Sequence, residues 1–417
     1  MRMFIERLRA TNFRSFRELD LELSPLSVLV GANASGKTNL VQLFRFLRDV
    51  ANEGFENAIA LQGGIEQIRN SRVGRSEPLT IAVEGSFAER TLLTYTNIKP
   101  QRYHYRFTIQ FTRGRVGYRV AEEQFCVWLD HTEAQQLKAT LTRRGNHFEL
   151  ALPSALFRRS NPKHAELALS KLAPGDSLLQ MFWIIPIPRP KPVFAALAEL
   201  GLLLRTIAAY DFDVDAMKQS THLETCPELE ENGENLAATL RELFRSRERR
   251  RIFQRLLQQF LPEIQGVSVQ IDAENRLSYS LREQHLGQRQ LSSNHLSDGT
   301  AVLMGLIVAL YFTQTHLLIV EEPDRHLHPA LIGQLMHHLK ETVWRRQILV
   351  TTHNPEMVRH TPLESLLLVQ RDREGFSQIT RPSENAHVKH FLQHELGLHE
   401  LFVDNLLGVK DDPVPTG

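Results

Sequence analysis

The sequence predicts an α/β protein in which a largely parallel sheet is covered by helices. Two observations carry this. A short apolar run, Leu26–Val30, leads into a glycine-containing turn and then a helical stretch from Thr38 to about Val50. From Leu296 onward helix and strand alternate, as Thr300–Phe312, Leu317–Val320, Ala330–Val343 and Gln347–Thr351. Such alternation implies strands joined by crossover helices. A third observation adds a mixed sheet, because β-branched and aromatic runs recur between Leu79 and Val127.

The elements follow in order. Phe4 to Leu23 alternates apolar and polar residues, which predicts two half-buried strands joined by a turn near Asn12–Ser15. In the helix after the glycine turn, Leu40, Val41, Phe44 and Leu47 share one face. Thr80–Val83, Tyr103–Phe111 and Val116–Val120 read as a strand meander, with a turn at Arg113-Gly114-Arg115. The middle, roughly Leu137 to Leu291, is mixed, with helical stretches at Ala195–Ala209 and Asn235–Phe260. Prolines at 186, 188, 190 and 192 predict a rigid connector. Sustained heptads and fixed-period repeats are absent from the sequence. The expected organisation is an N-terminal lobe over 1–135, an inserted, partly helical region over 136–290, a C-terminal lobe over 291–405 and a frayed tail over 406–417.

Bulk properties set limits. The chain has 417 residues, 42% hydrophobic and 23% charged, as in ordinary globular proteins. Its net charge is +1, so nucleic-acid binding must come from local patches. Cys126 and Cys226 stand far apart and outside any metal-ligand spacing, so both read as reduced in a cytoplasmic protein. The N-terminus lacks the apolar core of a secretory signal. Thr313–His316 interrupt Ala301–Val320, and the remaining apolar run of about twelve residues is too short to span a bilayer. A buried helix followed by a buried strand is expected there, and no membrane.

Gly31-Ala32-Asn33-Ala34-Ser35-Gly36-Lys37-Thr38 matches G-x-x-x-x-G-K-[ST] between a strand and a helix. Glycines let successive backbone N–H groups curl inward toward phosphate oxygens, and the helix N-terminus adds positive potential. The expected ligand is ATP with Mg²⁺. Lys37 would reach the β- and γ-phosphates and Thr38 would coordinate the metal. Gly31, Asn33, Ala34, Ser35, Gly36 and Asn39 complete the nucleotide-binding set.

Leu317–Val320 ends in Glu321-Glu322-Pro323. One carboxylate there can hold Mg²⁺ and a second can polarise the attacking water. Glu321 is assigned to the metal and Glu322 to the water. Leu296-Ser297-Asp298-Gly299 opens an apolar helix, where Ser297 is either a plain N-cap or part of an anion site. His353 follows the strand Gln347–Thr351 and on its own reads either as a satisfied surface histidine or as a contact to the γ-phosphate or the water.

Taken together, phosphate loop, LS-x-G helix start, acidic strand end with Pro323, and strand with His353 resemble an ABC-type P-loop ATPase head of the RecF and SMC-like branch. Asn12-Phe13-Arg14-Ser15-Phe16 and Leu327-His328-Pro329 resemble the stand-alone predicted ATPases of that branch, which include AAA-type and OLD-like ATPases and several phage-defence systems. The matching residues lie at roughly 1–60 and 290–360. The resemblance implies two heads sandwiching two ATP molecules, in a homodimer or higher homo-oligomer. Ser297 and Gly299 of one subunit would complete the other's site, with Glu322 as catalytic base and His353 as γ-phosphate sensor. Departures are Glu321 where many members have Asp, Ser-Asp-Gly for Ser-Gly-Gly, and His328 in place of an interface Asp. Gln62 and Gln67 both remain candidates for a metal-sensing glutamine.

The run Arg245–Arg255 is the densest basic segment and reads either as a phosphate-contacting helix or as a solvated one. Three functions compete: an ATPase switch acting on DNA or controlling a nuclease- or toxin-like effector in repair or anti-phage defence, an ATP-binding scaffold that sequesters such a partner, and a transporter ATPase. The stretch of roughly 260 residues between Lys37 and Ser297 disfavours the last.

Overall fold

The structure is a computed structural model that describes residues 3–87, 98–112, 117–131, 134–153, 166–167, 169–173, 175–181, 191–286, 289–385 and 402–403. The N-terminal part comprises β1 (Met3–Phe13), β2 (Phe16–Glu22), β3 (Leu26–Val30), α1 (Lys37–Leu61), α2 (Ile65–Ile68), β4 (Leu79–Phe87), β5 (Ile98–Phe111), β6 (Tyr118–His131), β7 (Ala134–Arg144) and β8 (His147–Ala151). Next come α3 (Lys191–Arg205), β9 (Ala208–Tyr210), α4 (Val214–Lys218), β10 (Thr221–His222), α5 (Leu236–Phe244), α6 (Arg247–Phe260), β11 (Ile264–Ile271), β12 (Arg276–Glu283) and β13 (Gln290–Ser292). The C-terminal part holds α7 (Asp298–Tyr311), β14 (Leu317–Glu321), α8 (Pro329–Thr342), β15 (Gln347–Thr352), α9 (Pro355–Arg359), β16 (Leu366–Arg371) and β17 (Ser377–Thr380).

Two large sheets face each other across α1. One is seven-stranded and antiparallel, in the order β2-β1-β4-β5-β6-β7-β8. The other is six-stranded, in the order β17-β16-β3-β15-β14-β9, and parallel except for β17. The parallel strands are buried on both faces, hence their unbroken apolar runs. Leu29, Ile319 and Leu349 point to the core shared with α1 and the antiparallel sheet. Val28, Val30, Leu318, Val320, Ile348 and Val350 point to the opposite core, under α5, α6, α7 and α8. A smaller sheet of β10, β11, β12 and β13 packs beside these helices.

Several expectations from sequence need adjustment. The antiparallel sheet runs on across residue 135 through β7 and β8. The helix expected to end near Val50 continues to Leu61, with a break at Gly54. Asn235–Phe260 is two helices, because Ser246 caps a new one by accepting from the Arg249 N–H. The stretch expected to be helical to Ala209 stops at Arg205, and Ala208–Tyr210 joins the parallel sheet as β9. The Arg113–Arg115 turn, the prolines at 186, 188 and 190, and the tail at 406–417 lie outside the described residues. The buried helix and buried strand expected at Ala301–Val320 are α7 and β14. Among the described residues, no helix is long and apolar enough to cross a membrane.

The break in α1 is fixed by tertiary contacts. Gly54 has φ 81° and ψ 178°, a region nearly exclusive to glycine. The freed Phe55 N–H donates to the Gly175 carbonyl at 2.8 Å. Gln180 Nε2 donates to the Asn52 carbonyl at 3.0 Å. The segment carrying Gly175 and Gln180 is anchored in turn to the antiparallel sheet. Fully buried Glu123 accepts from the Ser177 hydroxyl at 2.6 Å, the Tyr105 hydroxyl at 2.6 Å and the Leu178 N–H at 2.8 Å. Arg143 lies 3.7 Å from it and donates to the Ala173 carbonyl at 2.7 Å. Burial pushes the Glu123 carboxyl above the usual range, while these donors work against that shift.

Gly54→Ala tests the break. An alanine Cβ would lie 2.7 Å from the Gly175 carbonyl oxygen in a backbone region that alanine avoids. The expected loss is about 1–3 kcal/mol in urea unfolding. An unchanged midpoint would show that α1 tolerates a regular turn there.

Candidate nucleotide site

The phosphate loop joins the end of β3 to the start of α1. Ala34 and Gly36 both take left-handed φ, 62° and 122°. Alternating handedness turns successive backbone N–H groups to one side, which forms an anion-binding hollow. Space is as tight as conformation. A Cβ on Gly31 would collide with the Val369 carbonyl, and one on Gly36 with the Ser377 hydroxyl. The loop is braced from behind by the β16–β17 hairpin. Ser377 Oγ donates to the Ser35 carbonyl at 2.6 Å and accepts from Ser15 Oγ at 2.8 Å. Asn39 Nδ2 donates to Ser15 Oγ at 2.7 Å, and Arg371 Nε to the Ala34 carbonyl at 3.1 Å. Asn33, Ala34 and Thr38 stay exposed at the mouth, while Ser35 is buried.

Lys37 is 7% exposed and curls over its own loop. Its Nζ donates to the carbonyls of Gly31 at 2.7 Å and Ala32 at 3.2 Å. Burial lowers its pKa, and the negative charges of Glu322, Asp324 and Glu321 oppose that. Those three acids therefore converge on the loop.

Their placement follows from strand register. β14 pairs in parallel with β15, and β15 with β3, so all three strands end on one edge of the sheet. Glu321 pairs with Thr351 and is 9% exposed. Burial pushes its carboxyl up to about 6, while Arg45, hydrogen-bonded to it at 3.1 Å, and the nearby Thr38 hydroxyl pull the other way. The two expected metal ligands thus meet in this chain.

Glu322 turns the chain out of the sheet with φ 44°. Its N–H donates to the Thr351 carbonyl at 2.9 Å, which holds this uncommon conformation. Its Oε1 lies 2.9 Å from His353 Nδ1. The carboxylate accepts, so the imidazole proton sits on Nδ1 and leaves the lone pair of Nε2 free to accept. Buried Asp324, which the sequence reading did not single out, accepts from Thr352 Oγ1 at 2.9 Å. Thr352 Oγ1 accepts in turn from the Asn354 N–H at 3.0 Å. Asp324 thus fixes the turn that carries His353. Its only sequence signal was a further acid directly after Glu321-Glu322-Pro323.

Ser297 caps α7, accepting from the Thr300 N–H at 3.2 Å. Asp298 pairs with Lys218. A Cβ on Gly299 would lie 2.7 Å from the His326 carbonyl, so the glycine lets α7 abut the loop after the acids. His328 caps α8 through the Ala330 N–H at 3.2 Å. Gln62 is engaged elsewhere, accepting from Arg14 at 2.9 Å and donating to Asp49 at 3.2 Å, and Gln67 is exposed on α2.

The donor set suits a metal-bound nucleoside triphosphate. A glycine-walled hollow, a buried lysine and a hydroxyl beside a carboxylate lie together. Thr38 and Glu321 are the residues that would hold Mg²⁺.

Comparison with known proteins agrees with this geometry. The family described as "AAA domain, putative AbiEii toxin, Type IV TA system" matches residues 26–359. The DNA replication and repair protein RecF of Arthrobacter sp. (strain FB24) is 37% identical over 101 residues, 23% of this chain and 25% of that protein. RecF of Acidothermus cellulolyticus (strain ATCC 43068 / DSM 8971 / 11B) is 50% identical over 46 residues, 11% of this chain and 12% of that protein. The chain therefore spans about a quarter or less of the length of these curated relatives. A crystal structure of an SMC head bound to the C-winged helix domain of ScpA aligns at a TM-score of 0.50 and 15% identity, covering 90% of this chain and 97% of that one. That likeness concerns the fold. With most of its length matched, the chain belongs to this AAA-domain family, and it has the P-loop fold of an SMC-type head.

Proposed function

We propose that the chain is an ATP-hydrolysing switch, with composite sites formed when two heads meet. The hydrogen bond between Glu322 and His353 carries this reading. It joins a carboxylate suited to accept a proton from water to a half-exposed imidazole whose other nitrogen keeps its lone pair free. Lys37 would leave its loop carbonyls for phosphate oxygens. Glu322 would orient and deprotonate the attacking water, while His353 Nε2 would read the γ-phosphate. Bound Mg²⁺ would neutralise charge on the β- and γ-phosphates. Ser297 and Gly299 stand at the exposed start of α7, beside the loop after Glu322. That position supports a role in closing a second copy's site.

For the output, we favour work on DNA or control of an effector in repair or defence. The outer face of α6 supports phosphate contact. Phe253, Leu257 and Phe260 are buried, whereas Arg247, Arg251 and Arg255 are exposed at helical spacing. An ATP-bound scaffold that restrains a toxin-like partner is the second reading; the family description names a toxin–antitoxin system.

Glu322→Gln should cut phosphate release by about 10²–10⁴-fold. It should also shift the mass measured by light scattering in ATP toward a dimer or larger assembly. If neither turnover nor assembly responds, the hydrolytic mechanism is wrong. Because Glu321 must be ionised to take a metal, the half-saturating Mg²⁺ concentration should be flat above pH 6, near its value of about 6. It should climb about tenfold per pH unit below that; a flat curve down to pH 5 would remove Glu321 from the metal. Reversing Arg251 and Arg255 to Glu should weaken duplex DNA retention in a gel shift and flatten its salt dependence. Absence of wild-type binding at low salt, with and without ATP, would exclude DNA.

A further inference from the structure

Arg45 lies two turns of α1 beyond Lys37, with only 12% of its side chain exposed. An arginine inside the apolar layer between two sheets needs partners. Its guanidinium finds them on three separate segments. Nη1 donates to Glu321 Oε1 at 3.1 Å, Nε donates to Glu231 Oε2 at 2.9 Å, and Nη2 donates to the Ala209 carbonyl at 3.4 Å.

We propose that Arg45 is a positioning residue, whose fork aims the metal-side carboxylate of Glu321 and ties it to the inserted segment at Glu231. The proposal rests on the reading that Glu321 faces the metal. A glutamate has one more rotatable bond than an aspartate, so its carboxylate must be steered. Here Arg45 holds it through a 3.1 Å hydrogen bond.

The Glu231 end is itself rigidly placed. Its carbonyl accepts from the Asp211 N–H at 2.9 Å, and the Asn232 carbonyl from the Asp213 N–H at 3.0 Å. These bonds extend the chain directly beyond β9, whose Tyr210 pairs with Val320 of β14. Asn235 closes the segment by donating to the Cys226 carbonyl at 2.8 Å and accepting from the Glu230 N–H at 2.9 Å. Arg48, one turn along α1, also pairs with Glu231. A shift of this segment therefore pulls on the guanidinium that aims Glu321, and a metal that redirects Glu321 pulls on the segment.

Charge and geometry predict opposite signs, which makes the proposal testable. Removing a cation beside a metal site would strengthen metal binding by charge alone. Loss of a side chain that orients a ligand weakens it, by about 10-fold or more. The probe is Mn²⁺, titrated into the full chain with a non-hydrolysable ATP analogue and read by electron paramagnetic resonance. Arg45→Ala should bind Mn²⁺ about 10-fold more weakly. Arg45→Lys, which keeps the charge but lacks the fork, should fall between this variant and wild type. Hydrogen exchange at 226–235 should slow on adding Mn²⁺ and analogue to wild type, and change less in Arg45→Ala. Unchanged or tighter Mn²⁺ binding in Arg45→Ala, or wild-type affinity in Arg45→Lys, would overturn the proposal. Arg45→Lys carries the test alone if the alanine variant does not fold. Glu321→Gln separates the two readings: Mn²⁺ affinity unaffected by that change would refute the metal role of Glu321 itself.

Discussion

The parallel register of β3, β15 and β14 is the constraint on which the site depends. Thr352 lies opposite Val30, and Glu321 opposite Thr351. Phosphate loop, carboxylates and histidine therefore leave the sheet along one edge, although more than 280 residues separate Lys37 from Glu321 in the chain. A slip of one residue in β14 would turn Glu321 toward the opposite face and part Glu322 from His353. The double-sided apolar burial of these strands makes such a slip costly. Packing thus enforces the spacing that the chemistry needs.

Electrostatics within that edge follow the same economy. Lys37 is buried, yet its ammonium is satisfied by loop carbonyls and faces three acids. Glu321 is buried, yet Arg45 and Thr38 address it. Each charge is held in place before any ligand enters. Preorganisation of this kind spares the reorganisation that free side chains would undergo during reaction.

Legibility in the sequence tracked how local each feature is. β3, β14 and β15 are unbroken apolar runs, and the phosphate loop is a contiguous motif, so the centre of the sheet could be read directly. The order of Glu321, Glu322 and His353 was enough to bring them together, because strand ends in a parallel sheet converge. Short or long-range features escaped. β9 has three residues and looks like the last turn of the helix before it. Ser377 braces Ser15 across 362 residues, and no local pattern announces that contact. Asp324 was hidden beside two more conspicuous acids. The run Arg245–Arg255 left contact and solvation open in sequence; Phe253, Leu257 and Phe260 define the buried side of α6 and leave Arg247, Arg251 and Arg255 outward.

The place of β3 also bears on how the molecule is made. This strand spans residues 26–30, yet its neighbours in the sheet are β15 at 347–352 and β16 at 366–371. A ribosome releases the phosphate-loop strand more than 300 residues before either of its two partners. At synthesis rates of about 5–20 residues per second, β3 waits tens of seconds without either of them. During that interval the antiparallel meander that follows can form from neighbours in sequence. The nascent chain thus acquires its first sheet early, and gains a braced nucleotide cradle only when β16 and β17 have emerged.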